Sequence, residues 1–326
     1  MATYIGIKGI EIQTIAGDPA NPIEGQVWYN TTANTMKGYG LQGTGAWSSG
    51  GDVNTQRSFP AGCGLLTAAL MTQGYRSSPG AAIDLTELYD GTAWTEVNSQ
   101  LNPGEGSGGF GTQTAACCAG SSDLPKLQNE DWDGTCWTAG GATSVARYQS
   151  SSAGTQTAGM VSTGDLTVGG PGTTAATEEY NGSSWSAGNN CNTARNGSVS
   201  GGTQTAALMA GGGPTGLTAA ETYDGTSWTN IAGVVSRNAG YGTSNGSTEA
   251  FLDATGRNTT AGIPTADVEE YDGSTWTEIA NVSAANQAGV GMGTAYAMLK
   301  ATGSNPVSVA CEEYAIPLAT KTFTSS

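Results

Sequence analysis

Carboxylates are the groups of this chain best suited to chemistry, and six of them form three adjacent pairs: Glu178–Glu179, Glu269–Glu270 and Glu312–Glu313. Two carboxylates flanking a bond can hydrolyse a glycoside, one as acid and the other as base or nucleophile. Neighbouring strand residues point to opposite faces, however, so these pairs are not a ready acid–nucleophile couple. The 326 residues include no His, which removes the commonest general base and every Ser–His–Asp or Cys–His arrangement. Six cysteines, Cys63, Cys117, Cys118, Cys136, Cys191 and Cys311, form no CxxC pair and have no His to complete a zinc site. They read as small buried hydrophobes, with Cys136 able to pair with Cys117 or Cys118 if geometry allows. Gly-rich stretches such as "GGPGTTAATEEYNG" lack the Lys-Ser/Thr of a phosphate-binding loop, and EF-hand spacing is absent. The expectation is a non-enzymatic protein with no catalytic residue, no metal ligand and no cofactor.

The elements that must position these acids announce themselves by repetition. An acidic residue, a spacer, an aromatic, Asp/Asn-Gly and a Trp recur as "ELYDGTAW", "EDWDGTCW", "EEYNGSSW", "ETYDGTSW" and "EEYDGSTW", with a truncated "CEEYAIP" at Tyr314. An apolar segment precedes each anchor, as in "TQTAACCAG" and "TQTAALMAGG", and a third segment follows each Trp, with an Arg in four of the six. Trp47, Trp94, Trp137, Trp185, Trp228 and Trp276 are six equivalent positions, spaced 47, 43, 48, 43 and 48. The first repeat therefore begins at its last strand and the last repeat stops before it. That permutation lets the strand of Trp47 complete the unit holding Tyr314 and seal a ring, which removes exposed sheet edges. The expected fold is all-β: a six-bladed β-propeller over 47–314, with a hairpin arm at 1–46 and a tail at 315–326. Asp-Gly is expected to supply the positive φ angles of tight hairpin turns, and Trp94, Trp185, Trp228 and Trp276 to be buried between blades.

The residue two before the aromatic is always Glu: Glu87, Glu130, Glu178, Glu221, Glu269 and Glu312. Arg57, Arg147, Arg195 and Arg237 occupy the position after Trp, with Leu101 and Gln287 in the other two repeats. One reading is a ring of acids serving a ligand. The favoured one is a Glu–Arg pair that stabilises the scaffold, because a feature of every repeat belongs to what the repeats share.

An apolar strand ending in Gly211–Gly212, a Tyr before a turn, a Trp after it and an Arg about ten residues beyond resemble kelch-type propeller repeats. Separately, Pro19, Pro22, Glu24, Gly25, Gln26, Trp28, Tyr29, Asn30, Thr31, Thr32, Lys37 and Tyr39 resemble a short hairpin found near the start of bacteriophage tail-fibre and other virion proteins, with Met36 in place of Leu. Together these resemblances imply a phage virion structural protein of tail-fibre, head-fibre or decoration type. They place the protein in a virion, made in the host cytoplasm, as a homo-oligomer held to other virion proteins through residues 1–46. The N-terminus shows neither a basic start nor a leucine-rich core of a signal peptide. A net charge of −16 disfavours nucleic acid and anionic membranes. The alternatives are a cell-surface lectin-like adhesin or a propeller glycan-active enzyme.

The repeats differ where they are longest. Inserts at 72–86, 162–177 and 254–269 join the same two strands in alternate repeats, so they should emerge on one face. Their Tyr75, Arg76, Asp165, Arg257 and Asn258 are the candidate partner-binding residues, suited to polar contacts with a host-surface glycan, a receptor or a neighbouring protein.

Overall fold

The computed structural model describes residues 12–122, 127–166, 172–213, 216–234, 243–258, 262–304 and 306–323, with 243–246 as backbone alone. Every regular element among the described residues is a strand. The chain divides into two compact units, Trp47–Tyr314, and Met1–Ala46 with Ala315–Ser326.

The larger unit contains six four-stranded sheets. Sheet 1 is Ala61–Leu65, Ala68–Thr72, Thr86–Tyr89 and Trp94–Val97. The first strands of sheets 2 to 6 are Gly108–Thr112, Ser151–Thr155, Val199–Thr203, Thr243–Gly246 and Val290–Thr294. Each first strand lies beside that of the next sheet, and that of sheet 6 lies beside that of sheet 1. The fourth strand of sheet 6 is Ala46–Ser49, next to Cys311–Ala315. The first strands can approach because their side chains are small. A Cβ on Gly109 would sit 2.8 Å from the Gly62 nitrogen, and one on Gly62 would sit 2.8 Å from Val290 Cγ2.

Three sets of side chains tie successive sheets. Gln113, Gln156 and Gln204, from the turn after the first strand, each donate to two carbonyls of the preceding sheet; Gln113 reaches Ala69 O at 3.1 Å and Tyr89 O at 2.7 Å. Indole N–H groups do the same: Trp137 donates to Thr86 at 2.9 Å, Trp228 to Thr177 at 3.0 Å, Trp276 to Ala232 O at 2.8 Å and Trp47 to Ala280 O at 3.0 Å. Tyrosine hydroxyls donate to the carboxylate after the repeated Glu in the preceding sheet: Tyr180 to Asp131 at 2.7 Å, Tyr223 to Glu179 at 2.6 Å and Tyr89 to Glu313 at 2.5 Å. The last bond joins sheet 6 to sheet 1. Within each sheet the aromatic and the Trp pack together, as in Tyr180–Trp185 with centroids 4.8 Å apart.

Several details differ from the sequence reading. Tyr223 pairs with Trp228, so the Asp-Gly turns enclose four residues. Only the Gly takes positive φ (Gly225 at 87°), while the Asp224 carboxylate accepts from the N–H groups of Thr226 and Ser227. Trp94, Trp228 and Trp276 are buried, but Trp185 is only half-buried. All six cysteines are free, and Cys136 is exposed, well apart in environment from buried Cys117 and Cys118.

The smaller unit is a four-stranded sheet ordered Gln13–Ile15, Val27–Asn30, Thr35–Leu41 and Leu318–Phe323. Residues 315–326 are thus more than a tail, since Leu318–Phe323 pairs antiparallel along the whole of Met36–Leu41. Asp18 anchors the hairpin: its carboxylate accepts from Trp28 Nε1 at 3.1 Å, Asn30 Nδ2 at 2.7 Å and Lys37 Nζ at 2.8 Å. The Lys37 and Asn30 contacts hold its pKa below the usual carboxylate range.

A chain that begins at residue 60 leaves sheet 6 with three strands and removes the Trp47 contact to Ala280. It should aggregate or unfold well below the full chain, and an unchanged melting temperature would overturn this. Trp94→Ala or Trp276→Ala should cost about 3–5 kcal/mol in chemical denaturation, and half-buried Trp185→Ala less.

Candidate interaction face

The repeated Glu, on the third strand of each sheet, is a structural clamp. Glu87, Glu130, Glu178, Glu221, Glu269 and Glu312 are all buried. In five sheets the carboxylate accepts a backbone N–H from the segment leading into its own sheet: Asn54 at 2.8 Å, Leu101 at 2.8 Å, Ser144 at 2.6 Å, Asn192 at 2.7 Å and Ser283 at 2.8 Å. Three residues further on stands the Arg. Arg57 pairs with Glu87, Arg147 with Glu178 at 2.5 Å and Arg195 with Glu221. This alignment corrects the sequence register: Leu101 is equivalent to Asn54, and the Arg position is filled by Gly104 in sheet 2 and Asn286 in sheet 6. The bridges Ile83↔Gly104, Thr174↔Arg195 and Thr265↔Asn286 show the same equivalence. In sheet 6 the cation comes instead from the second strand, with Lys300 Nζ 3.8 Å from Glu312. Arg237 lies outside the described residues.

Each guanidinium also grips both feet of the loop between the second and third strands. Arg57 Nη1 donates to Gln73 O at 3.1 Å and Leu85 O at 2.7 Å, and Arg147 Nη1 to Thr163 O at 3.2 Å and Ala176 O at 2.8 Å. The second strand ends in two residues of positive φ, such as Thr163 at 58° and Gly164 at 107°. A Cβ on Gly164 would meet Tyr148 O at 2.9 Å and Arg147 Cβ at 3.2 Å, so the bare glycine is what lets the Arg segment lie against the strand end. This explains why the kelch-like double Gly is often single here. The first position tolerates Thr in a strained conformation, whereas the second is held to Gly by contact in five sheets; sheet 2 has Ser121 there, against Gly104 at the Arg position.

All inserts spring from this clamped edge. In sheet 1, Tyr75–Arg76 pairs with Ala81–Ala82; in sheet 5, Arg257–Asn258 pairs with Ile263–Pro264. In sheet 3, Asp165 bridges to Thr173 and to Tyr148. Each insert ends against the Arg position of the following sheet, through Ile83, Thr174 and Thr265. The same edge carries the mouth of the central cavity, because antiparallel pairing puts the end of each second strand beside the start of the first. Four N–H groups there pass hydrogen bonds from sheet to sheet: Phe59 N to Ala288 O at 2.8 Å, Gly106 N to Phe59 O at 2.9 Å, Gln149 N to Gly106 O at 2.6 Å and Gly197 N to Gln149 O at 2.9 Å. The cavity behind them holds about 370 Å³ and is lined mostly by Gly, Ser, Ala and Thr, with Pro60, Cys63, Leu65, Phe110, Val199 and Val290. Among the described residues no carboxylate or cation lines it, and burial pushes the Cys63 thiol up to about 12.

The candidate residues separate in this frame. Tyr75 is exposed, and Arg76, Arg257 and Asn258 are half-buried on their hairpins. Asp165 is not a solvent-facing group: it is 9% exposed and accepts from Asn196 Nδ2 of the next sheet at 2.5 Å. Burial raises its pKa and the Asn196 bond opposes this. Sequence reasoning missed Leu166 and Ile263, which are 42% and 57% exposed, against 37% for Tyr75. Among the described residues each insert therefore presents a large apolar side chain to solvent, with Arg76 and Arg257 beside two of them. An apolar residue among Gly and Thr was the only signal, and an isolated one carries little weight. Among the described residues no three Cys, Asp or Glu side chains cluster as a metal centre.

No family model matches the chain, and no curated protein matches it. Among solved structures the chain is similar to that of YjhT, with a TM-score of 0.64 at 11% identity over 83% of this chain and 99% of that one. Such a likeness concerns the fold alone, and it is consistent with a β-propeller-type arrangement.

Burial would raise the Glu178 pKa, but the Ser144 hydroxyl and amide and the Arg147 charge outweigh it and leave the value below 4.5. A depressed folded value means that this stabilisation is complete above about pH 4.5 and lost as pH falls through the folded value. Thermal unfolding should show that acid limb, and Ser144→Ala should move it to higher pH. Arg147→Met, which leaves a buried carboxylate without its cation, should cost about 3–5 kcal/mol. A cost below about 1 kcal/mol would show that the pair is dispensable.

Proposed function

We propose that the six sheets are the blades of a closed six-bladed, kelch-like β-propeller, and that the protein is a non-enzymatic structural component of a bacteriophage virion. In this reading the smaller unit, residues 1–46 with 315–326, joins the protein to its assembly, and the insert-bearing edge meets the outward partner. The observation that carries the reading is the division of labour within the repeat. The repeated acids, which would have been the catalytic candidates, are consumed by backbone amides and guanidinium groups, while the variable inserts hold the exposed side chains. A carboxylate already saturated by buried donors is a poor acid or nucleophile, whereas clamped inserts make a stable display surface. Tyr75, Leu166 and Ile263 next to Arg76 and Arg257 match the apolar and Arg-rich make-up of protein-recognition surfaces better than that of purely polar sugar contacts. The virion assignment itself rests on the resemblance of the Pro19–Tyr39 segment.

Two deletions test the two halves. Removing residues 1–45 together with 316–326 takes away one whole sheet and leaves no unpaired strand behind, so the remainder should fold but fail to enter particles. Shortening the inserts of sheets 1, 3 and 5 to the length found in sheet 4 should spare folding and incorporation but reduce attachment to the host. Antibody labelling of intact particles from the source reads the first. Normal incorporation without the smaller unit would overturn its assembly role, and undiminished attachment would overturn the recognition role.

A further inference from the structure

Sheet 2 breaks the clamp pattern in a way that calls for a guest. Glu87, Glu178 and Glu221 each have an Arg partner, and Glu312 has Lys300. Glu130 is 2% exposed and accepts from Leu101 N at 2.8 Å and Asn102 Nδ2 at 3.0 Å, but no Arg or Lys among the described residues pairs with it. Its Arg position is Gly104, where a Cβ would run into Ser121 Oγ at 2.5 Å and Gln73 Nε2 at 2.8 Å. Cys118 lies opposite Glu130 in the register that Lys300 occupies in sheet 6.

Two further replacements accompany the missing cation. Gln100 stands where other sheets have Val53, Thr143, Cys191 and Val282, and Gln128 where they have Leu85, Ala176, Ala219, Asp267 and Ala310. Both are buried, at 4% and 7% exposed, and neither amide atom of either side chain has an oxygen or nitrogen partner, Gln100 meeting only the weak sulfur of Cys118. Gln100 lies against Cys118, across from Glu130, and Gln128 shares the Glu130 face of its strand, two residues away. Burying an unpaired carboxylate is costly, and so is burying two unpartnered amides. One occupant relieves all three.

We propose that sheet 2 binds a small monovalent cation, sodium or potassium, between the Glu130 carboxylate and the amide oxygens of Gln100 and Gln128. Hard cations take carboxylate and amide oxygens, and one carboxylate balances one positive charge. Burial keeps the Cys118 thiol protonated, with its pKa up at about 12, so it adds no second charge and no thiolate for a soft metal. The ion does for sheet 2 what Arg57 and Lys300 do from within the chain.

The test is the melting temperature of the full chain in sodium, potassium and choline chloride at equal ionic strength, choline being too bulky to enter a buried oxygen site. Sodium or potassium should raise the midpoint by roughly 2–4 °C over choline, increasing with the logarithm of concentration. The response should vanish in Glu130→Gln and in Cys118→Lys, which copies the Lys300 arrangement and also decides the matter if the first variant fails to fold. Equal midpoints in the three salts would overturn the proposal, leaving Glu130 to water or to Lys126, which lies outside the described residues. A response that persists in Cys118→Lys would overturn it as well.

Discussion

A buried glutamate on the third strand must be neutralised, and the rest of each sheet is arranged around that requirement. Its carboxylate collects an N–H from the segment arriving from the previous sheet and, where Arg is present, a guanidinium whose other donors hold both ends of the following loop. One ionic contact thus fixes where the chain comes in, where the second strand ends and where the third begins. Such a pair contributes little net stability against an apolar substitute but is costly to half-remove. Its value here is positional, which is why the insert lengths can change without disturbing the strands beneath them.

The sheets are then joined by groups that each reach back by one. Gln156 spans two carbonyls, Trp137 and Trp228 insert their indoles, and tyrosine hydroxyls meet acids. The two members of an adjacent acid pair consequently have different fates. Glu178 turns inward to its own sheet's Arg, whereas Glu179 turns to Tyr223 of the next sheet. Alternation along a strand therefore separates them, one held within its own sheet and the other spent on the joint to the next.

Much of this was legible in the sequence, because a repeat exposes what all copies share. The Trp spacing, the permuted ends and the Glu–Arg pairing could be read from Trp47, Tyr314, Glu87 and Arg57 alone. What failed was register inside irregular segments: Leu101 and Gln287 were aligned by distance from Trp, whereas backbone pairing puts Gly104 and Asn286 at the Arg position. The role of Gln113 was invisible because its partners are carbonyls of another sheet, which no side-chain pattern reports. Asp165 looked like a loop carboxylate, and only a long-range neighbour, Asn196, makes it interior. Leu318–Phe323 lacked a visible partner strand because that partner lies nearly 280 residues earlier.

The joints between sheets are not equivalent, and this has a mechanical consequence. Tyrosine–acid bonds cross from sheet 6 to 1, from 2 to 3 and from 3 to 4. Insert bridges cross from 1 to 2, from 3 to 4 and from 5 to 6. The joint between sheets 4 and 5 has neither among the described residues: Thr222 stands where Glu179 stands in sheet 3, so Tyr271 meets no carboxylate there, and the side-chain tie that remains is the Trp276 indole on Ala232. Under load, joined sheets part first where the described ties are fewest. By that measure sheets 4 and 5 separate before the sheets whose joints carry a tyrosine–acid bond or an insert bridge.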